Sequence, residues 1–225
     1  MERRERDWNV WHGAYDDPSS PLARRLRIVQ QRVRAALDVS RSGRIRTVSV
    51  CAGQGRDLLG ALPGHPRQRD VVARLVEKDA ANVRVARATA RMAGLGGIQV
   101  VEGDASVTDA YVGAVPAALV LVCGVFGNIA FSDVERTVSL LPMLCGEGAQ
   151  VIWTRGRTDV DRTDEVCAMF EGRGFERRWL SGPEEKDYAV GVYRFAGRPV
   201  RLEAGVRLFT FGGYDDPPGE AARVR

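Results

Sequence analysis

Two glycines one residue apart, Gly53 and Gly55, lie in the stretch VSVCAGQGRDLLG, residues 48–60, which begins as a β-branched apolar run and ends on residues suited to a first helical turn. A strand that turns through small residues into a helix leaves backbone N–H groups pointing outward, and the missing β-carbons let a ligand approach the chain itself. The chemistry this suits is nucleotide binding. Taken alone the spacing also fits a simple tight turn. Three later positions extend the pattern: Glu77 closes the apolar run 71–77, Asp104 follows the run 98–102 in EGDA, and Gly124 follows the run 118–123 in VCGVFGN. An acid at the end of a second strand is where doubly wound folds hold a ribose hydroxyl pair, and Glu77 lies slightly beyond the usual spacing of about 20 residues. Each position alone also reads as a cap or a turn. Together, at the carboxyl ends of successive strands, they predict one crevice.

A second group of candidates precedes the first strand. In DWNVWHGAYDDPSSPL, residues 7–22, Trp8, Trp11 and Tyr15 fall near one helical face with His12 beside them. Such residues combine apolar bodies with polar tips, as sites for small organic ligands do. His12 is the histidine placed to act as a base, since imidazole titrates with a reference pKa of about 6.5; His12 and Tyr15 are therefore the candidate catalytic residues. The plain alternative is an aromatic cluster pinning the N-terminus. Cys51, Cys123, Cys145 and Cys167 show no CxxC spacing, and with two histidines in the chain a zinc constellation is hard to assemble, so no metal is expected. The thiols read as free, with Cys51 and Cys123 as small fillers at the pocket.

The elements that must hold these residues follow from periodicity. Leu22, Leu26, Val29, Val33 and Leu37 form one apolar stripe of a helix over 19–38, with Ser20 as cap and Pro21 as first helical residue. Beyond the break at 38–43, strand-like runs at 44–51, 71–77, 98–102, 118–123 and 149–154 interleave with helical signals at 57–62, 80–94, 133–144 and 161–173. Alternation of this kind predicts a mainly parallel α/β sheet covered on both faces. The runs 188–195 and 206–211 have no room for a crossover helix between them, which predicts an antiparallel hairpin. The end from 213 to 225 reads as a mobile tail.

With the glycine loop VCAGQGRD, the strand end LVEKD, the EGDA corner, the LVCGVFGN segment and the final hairpin in this order, residues 44–212 resemble the class I S-adenosylmethionine-dependent methyltransferases. The resemblance implies a Rossmann-like, doubly wound, mostly parallel seven-stranded sheet with an antiparallel C-terminal hairpin. It implies S-adenosylmethionine as cofactor, with the backbone of Cys51, Ala52, Gly53 and Gly55 around its methionine part and Glu77, with Lys78 beside it, at the ribose. Asp104 and Ala105 would line the adenine edge, and Cys123, Gly124 and Val125 the floor near the sulfonium. Asp57 would fix the loop or bind the ammonium group. Where many members carry an acid in the first strand and a glycine in the loop, this chain has Ser49 and Cys51. The ammonium contact would then fall to Asp57, to a backbone carbonyl, or to residues 1–43, which would serve as a lid over the acceptor.

The charge pattern bears on the acceptor. The 225 residues carry a net charge of +4, and all but two of the 33 basic residues are arginines interspersed with acids, which reads as a solvated surface rather than a nucleic-acid footprint. The fourth strand is followed by GVFGN, not by the (Asp/Asn)-Pro-Pro-(Tyr/Phe) segment of amino-methylating nucleic-acid enzymes. A small-molecule acceptor is therefore expected over nucleic acid, with the acceptor atom and the oligomeric state left open. No apolar run approaches the roughly 18 residues of a membrane span, and the start MERRERDWN has no apolar signal core, so a cytoplasmic protein without a membrane partner is expected. Two other readings compete. An NAD(P)-dependent oxidoreductase would fit the crevice, but GQGRDL lacks the third glycine of the dinucleotide fingerprint. A noncatalytic binding protein could keep the fold and use its arginine-rich start for a partner.

Overall fold

The computed structural model describes residues 14–157 and 160–210. Seven strands form one sheet in the order β3-β2-β1-β4-β5-β7-β6: β1 (Ile45–Val50), β2 (Val71–Glu77), β3 (Ile98–Glu102), β4 (Ala117–Val122), β5 (Cys145–Gly156), β6 (Phe175–Leu180) and β7 (Tyr188–Phe195). The pairs among β1 to β5 are parallel, whereas β7 runs antiparallel between β5 and β6. The sheet expected from sequence is thus present. The central strands read as unbroken apolar runs because both faces are covered: α1 (Pro21–Asp38), the single turn α2 (Arg56–Leu59) and α3 (Ala80–Met92) lie on one side, α4 (Phe131–Leu140) and α5 (Thr163–Glu171) on the other.

Alternation along each strand divides the core. Val48, Val120 and Trp153 join the cluster under α4 and α5, while Leu75, Leu119 and Ile152 join Val29, Val33 and Leu37 of α1. Helix α1 starts where Ser20 and Pro21 predict, with Ser20 Oγ accepting from the N–H of Ala23 at 3.0 Å. Leu22 and Leu26 of the expected stripe are only half-buried, because the first turns of α1 lean towards the mouth of the crevice described below.

The hairpin needs one correction. Its members are β6 and β7, not 188–195 with 206–211. Both edges of β7 are taken, by β5 and β6, so residues 206–210 have no strand to join. They form a strap instead, with one antiparallel bridge from Arg207 to Val107. The N–H of Leu208 donates to the Ser106 carbonyl at 2.8 Å and that of Thr210 to Asp133 Oδ2 at 2.7 Å. Among the described residues no helix is long and apolar enough to cross a membrane.

Candidate functional site

The sheet order reverses between β1 and β4, and at such a switch point the loops after adjacent strands part to leave a crevice. A cavity of about 390 Å³ lies there. Its walls are Cys51, Ala52, Gly53 and Asp57 after β1, Glu77 and Lys78 at the end of β2, Asp104 and Ala105 after β3, and Cys123 and Gly124 after β4, with Tyr15 from the turn before α1. The residues expected from sequence thus meet at one place, with three exceptions. Gly55 does not line the cavity: it has φ +71°, and a β-carbon there would stand 2.8 Å from side-chain atoms of Leu59 and Leu75, so the glycine lets α2 lie against β2. Val125 is fully buried in the core beneath. His12 lies outside the described residues, as do Trp8, Trp11 and the tail 213–225.

Glu77 holds the loop together. Its Oε2 accepts from the N–H of Gly53 at 2.7 Å and its Oε1 from the N–H of Asp79 at 2.8 Å. An ionised carboxylate has about four lone-pair sites. Two remain for ligand hydroxyls. Cys51 turns the chain out of β1 with φ +49°, in the left-handed region where a side chain costs about 1–2 kcal/mol. Gly53, at φ +55°, continues the bend. Asp104 Oδ1 accepts from the N–H and Oγ of Ser106 at 2.9 and 2.6 Å, which turns the chain after β3. Gly124, at φ +74°, donates its N–H to Thr154 Oγ1 at 2.8 Å.

Sequence reasoning missed several residues that line the cavity, Arg25, Arg56 and Phe209 among them. Arg25, on the first turns of α1, donates from Nη2 to Tyr15 Oη at 2.8 Å. Phe209 of the strap is buried against the cavity. Arg56 also reaches back, with its guanidinium 5.3 Å from the Tyr15 ring centroid and an ion pair to Asp16 at 2.9 Å. The turn Ala14–Asp16 is thereby tied to the glycine loop.

The same fold recurs in solved structures. An O-methyltransferase family protein from Burkholderia thailandensis matches with TM-score 0.58 over 76% of this chain, at 15% identity. Magnesium protoporphyrin IX methyltransferase from Synechocystis PCC 6803, solved with bound S-adenosylmethionine, matches with TM-score 0.59 over 76% of this chain and 79% of that one, at 10% identity. The fold is that of the class I methyltransferases. The [4+2]-cyclase SpnF shares it, with TM-score 0.53, 13% identity, and 76% of this chain and 82% of that one covered. The methyltransferase fold alone does not fix the reaction. This chain spans 57% of the length of the Burkholderia protein. No protein-family model matches the sequence, and no curated protein matches it either.

Within this methyltransferase fold the charges are arranged by end. Burial pushes the Tyr15 phenol above its ordinary pKa, Arg25 opposes the shift and Asp57 adds to it. Burial also raises the Cys123 thiol well above its usual value, with Asp57 adding and Arg25 opposing. A guanidinium and a carboxylate therefore act together on one end of the cavity. At the far end burial raises the Asp104 carboxyl, but the Ser106 hydrogen bonds and the charges of Arg207 and Lys78 outweigh it and leave the pKa below the ordinary value. Asp104 is ionised at neutral pH. Burial raises the Cys51 thiol, helped by the charges of Glu77 and Asp104. Neither pocket thiol is a nucleophile at neutral pH.

A pH dependence follows. Cys51, Cys123, Cys145 and Cys167 are all raised, chiefly by burial, and burial together with the nearby Glu185 carboxylate pushes Tyr188 up to about 12. The folded state keeps these protons after the unfolded chain has released them. The associated stability is complete below the unfolded thiol range, about 8.5, and is lost as pH rises through the folded values. The urea midpoint should therefore fall steadily between pH 8 and pH 11, and a midpoint that is flat or rising over that range would contradict the buried, neutral thiols.

Proposed function

We propose that this protein is an S-adenosylmethionine-dependent methyltransferase that acts on a small organic acceptor. The observation that carries the reading is one cavity with three chemically distinct ends. Arg25 and Asp57 offer a cation and an anion to the carboxylate and ammonium of an amino acid. The Glu77 carboxylate, fixed by two backbone N–H groups, keeps lone pairs for a vicinal hydroxyl pair. Asp104 and Ala105 stand where a base edge would lie. These residues fit the amino acid, ribose and adenine of the cofactor in the order the loops supply them. When bound, the cofactor supplies a methyl group already activated by sulfonium charge.

The protein's task is then alignment and exclusion of water. Gly124 is held by Thr154, and the Gly53 backbone by Glu77, so the cavity floor is fixed before a ligand arrives. Residues 1–43 act as the lid over the acceptor, an assignment supported by the approach of Tyr15 and Arg25 to the cavity. Tyr15, with its proton held, positions rather than abstracts. His12 is the base where an acceptor needs one. The four free thiols suit a reducing, cytoplasmic setting.

The test is calorimetric titration with S-adenosylmethionine and S-adenosylhomocysteine, with NAD and NADPH as controls. Micromolar binding of the sulfur nucleotides and none of the nicotinamides is expected. Binding of a nicotinamide cofactor alone would replace this reading with an oxidoreductase, and binding of neither by folded protein would end both.

A further inference from the structure

We propose that the acceptor carries a carboxylate held by a subsite made of Arg155 and Arg162 around the ring of Phe131. The identity of this ligand as acceptor rests on the methyltransferase reading above; the anion site itself does not. Arg155 is the penultimate residue of β5, at the carboxyl end of the strand beside β4, the edge at which sheets of this kind bind ligands. Its Nη1 donates to the carbonyl of Phe126, two residues beyond Gly124, and its neighbour Thr154 accepts from the N–H of Gly124 at 2.8 Å. The loop that walls the cofactor cavity is thus also what holds this guanidinium.

Arg155 is underused where it stands. Its Nε is buried and has no hydrogen-bond partner among the described residues. An unpaired buried donor is costly, and more so on a charged group. The acids in reach are engaged with other arginines: Asp161 pairs with Arg157 at 3.3 Å and Glu165 with Arg162 at 3.8 Å. Arg162 lies 4.1 Å from the Phe131 centroid and Arg155 5.5 Å from the same ring. Burial and the neighbouring Arg162 charge both lower the Arg155 pKa, against the pull of Glu165 and Asp161. Helix α4 begins at Phe131 without a side-chain cap, so its positive end adds to the field. Two like charges gathered at one aromatic ring want a planar anion. A guanidinium edge matches a carboxylate bidentately, and Phe131 gives an apolar wall for the body that carries it. Binding would shift Arg162 off the ring to open the Nε edge of Arg155.

The experiment is a fluorine NMR titration of 4-fluorobenzoate against 4-fluorobenzamide, run with and without saturating S-adenosylhomocysteine. Wild type should bind the carboxylate saturably and the amide about ten-fold more weakly or worse. Arg155→Gln should erase that preference and Arg162→Gln should reduce it, with thermal melts reporting an intact fold. Should Arg155→Gln fail to fold, the loss of preference in Arg162→Gln decides. Equal binding of the two probes by wild type, no saturable carboxylate binding, or a preference that survives both substitutions overturns the subsite. The arm without S-adenosylhomocysteine reads the arginines even if that nucleotide does not bind, so failure of the methyltransferase reading and failure of this one are told apart.

Discussion

Replacing Glu77 by Ala should weaken S-adenosylhomocysteine binding by about 100-fold or more, which corresponds to roughly 2.7 kcal/mol. Two losses combine. The side chain would contribute the hydroxyl contacts of the ribose, and hydrogen bonds to a charged group are worth about 1.5–3 kcal/mol each. The same carboxylate also joins the N–H of Gly53 to that of Asp79, so without it the loop after β1 and the start of α3 lose their common anchor. Glu77→Gln should be nearly as damaging. An amide offers one acceptor oxygen, and its NH2 would face a backbone N–H that now has an acceptor. Glu77→Asp is one methylene too short to meet both donors. Calorimetry on the three variants, beside thermal melts to confirm folding, reads the effect. Folded Glu77→Ala protein that binds S-adenosylhomocysteine within about two-fold of wild type would remove Glu77 from the site and with it the ribose assignment.

How far the sequence discloses this arrangement depends on whether a residue's role is local. The bounds 71–77 and 98–102 match β2 and β3 because each is an apolar run closed by a polar residue. Strand-by-strand order then places Glu77, Asp104 and Gly124 at one crevice, since every parallel strand presents the same end to the same side. Strand β6 was not legible. As an edge strand its FERRWL carries Glu176, Arg177 and Arg178 into solvent, and such a run reads as surface. With β6 reading as surface, the apolar run 206–211 is the partner the sequence offers β7, and the structure gives that place to β6. Arg25 was hidden for a different reason. It lies between Leu22 and Val29 on an amphipathic helix, where an arginine is expected to face water, and only the packing of α1 against the sheet brings it to the cavity. Phe126 in GVFGN, an aromatic one turn from the crevice in sequence, belongs to the core, fully buried against Trp153 and Phe170. The left-handed Cys51 is not signalled by its own residue type, which rarely takes that backbone; the only hint is that it stands where the resembled family carries glycine.

Gly191→Ala should destabilise the fold by roughly 3 kcal/mol, a large effect for one methyl group. Gly191 lies in β7 directly opposite Trp153 of β5. A β-carbon there would stand 2.4, 2.5 and 2.6 Å from Cε2, Nε1 and Cζ2 of the indole. The indole cannot retreat freely: Trp153 is fully buried, and its ring stacks on Phe170 with centroids 6.1 Å apart and 15° between planes. Glycine weakens a strand interior in general, so its presence in β7 is explained by the ring laid across it. The melting temperature should fall by roughly 6–12 °C for a domain of this size. Trp153→Phe alone should cost less than its lost volume implies, because the indole Nε1 is buried without a hydrogen-bond partner and the substitution removes that donor. The smaller ring also vacates the atoms nearest Gly191. The double variant should therefore be more stable than the two separate losses predict, with a favourable coupling of about 1–2 kcal/mol in urea unfolding. A Gly191→Ala loss below about 1 kcal/mol, or strictly additive variants, would mean that the strand pair yields without moving the ring, and the aromatic layer of Trp153, Phe170 and Phe126 would then be far softer than its close packing implies.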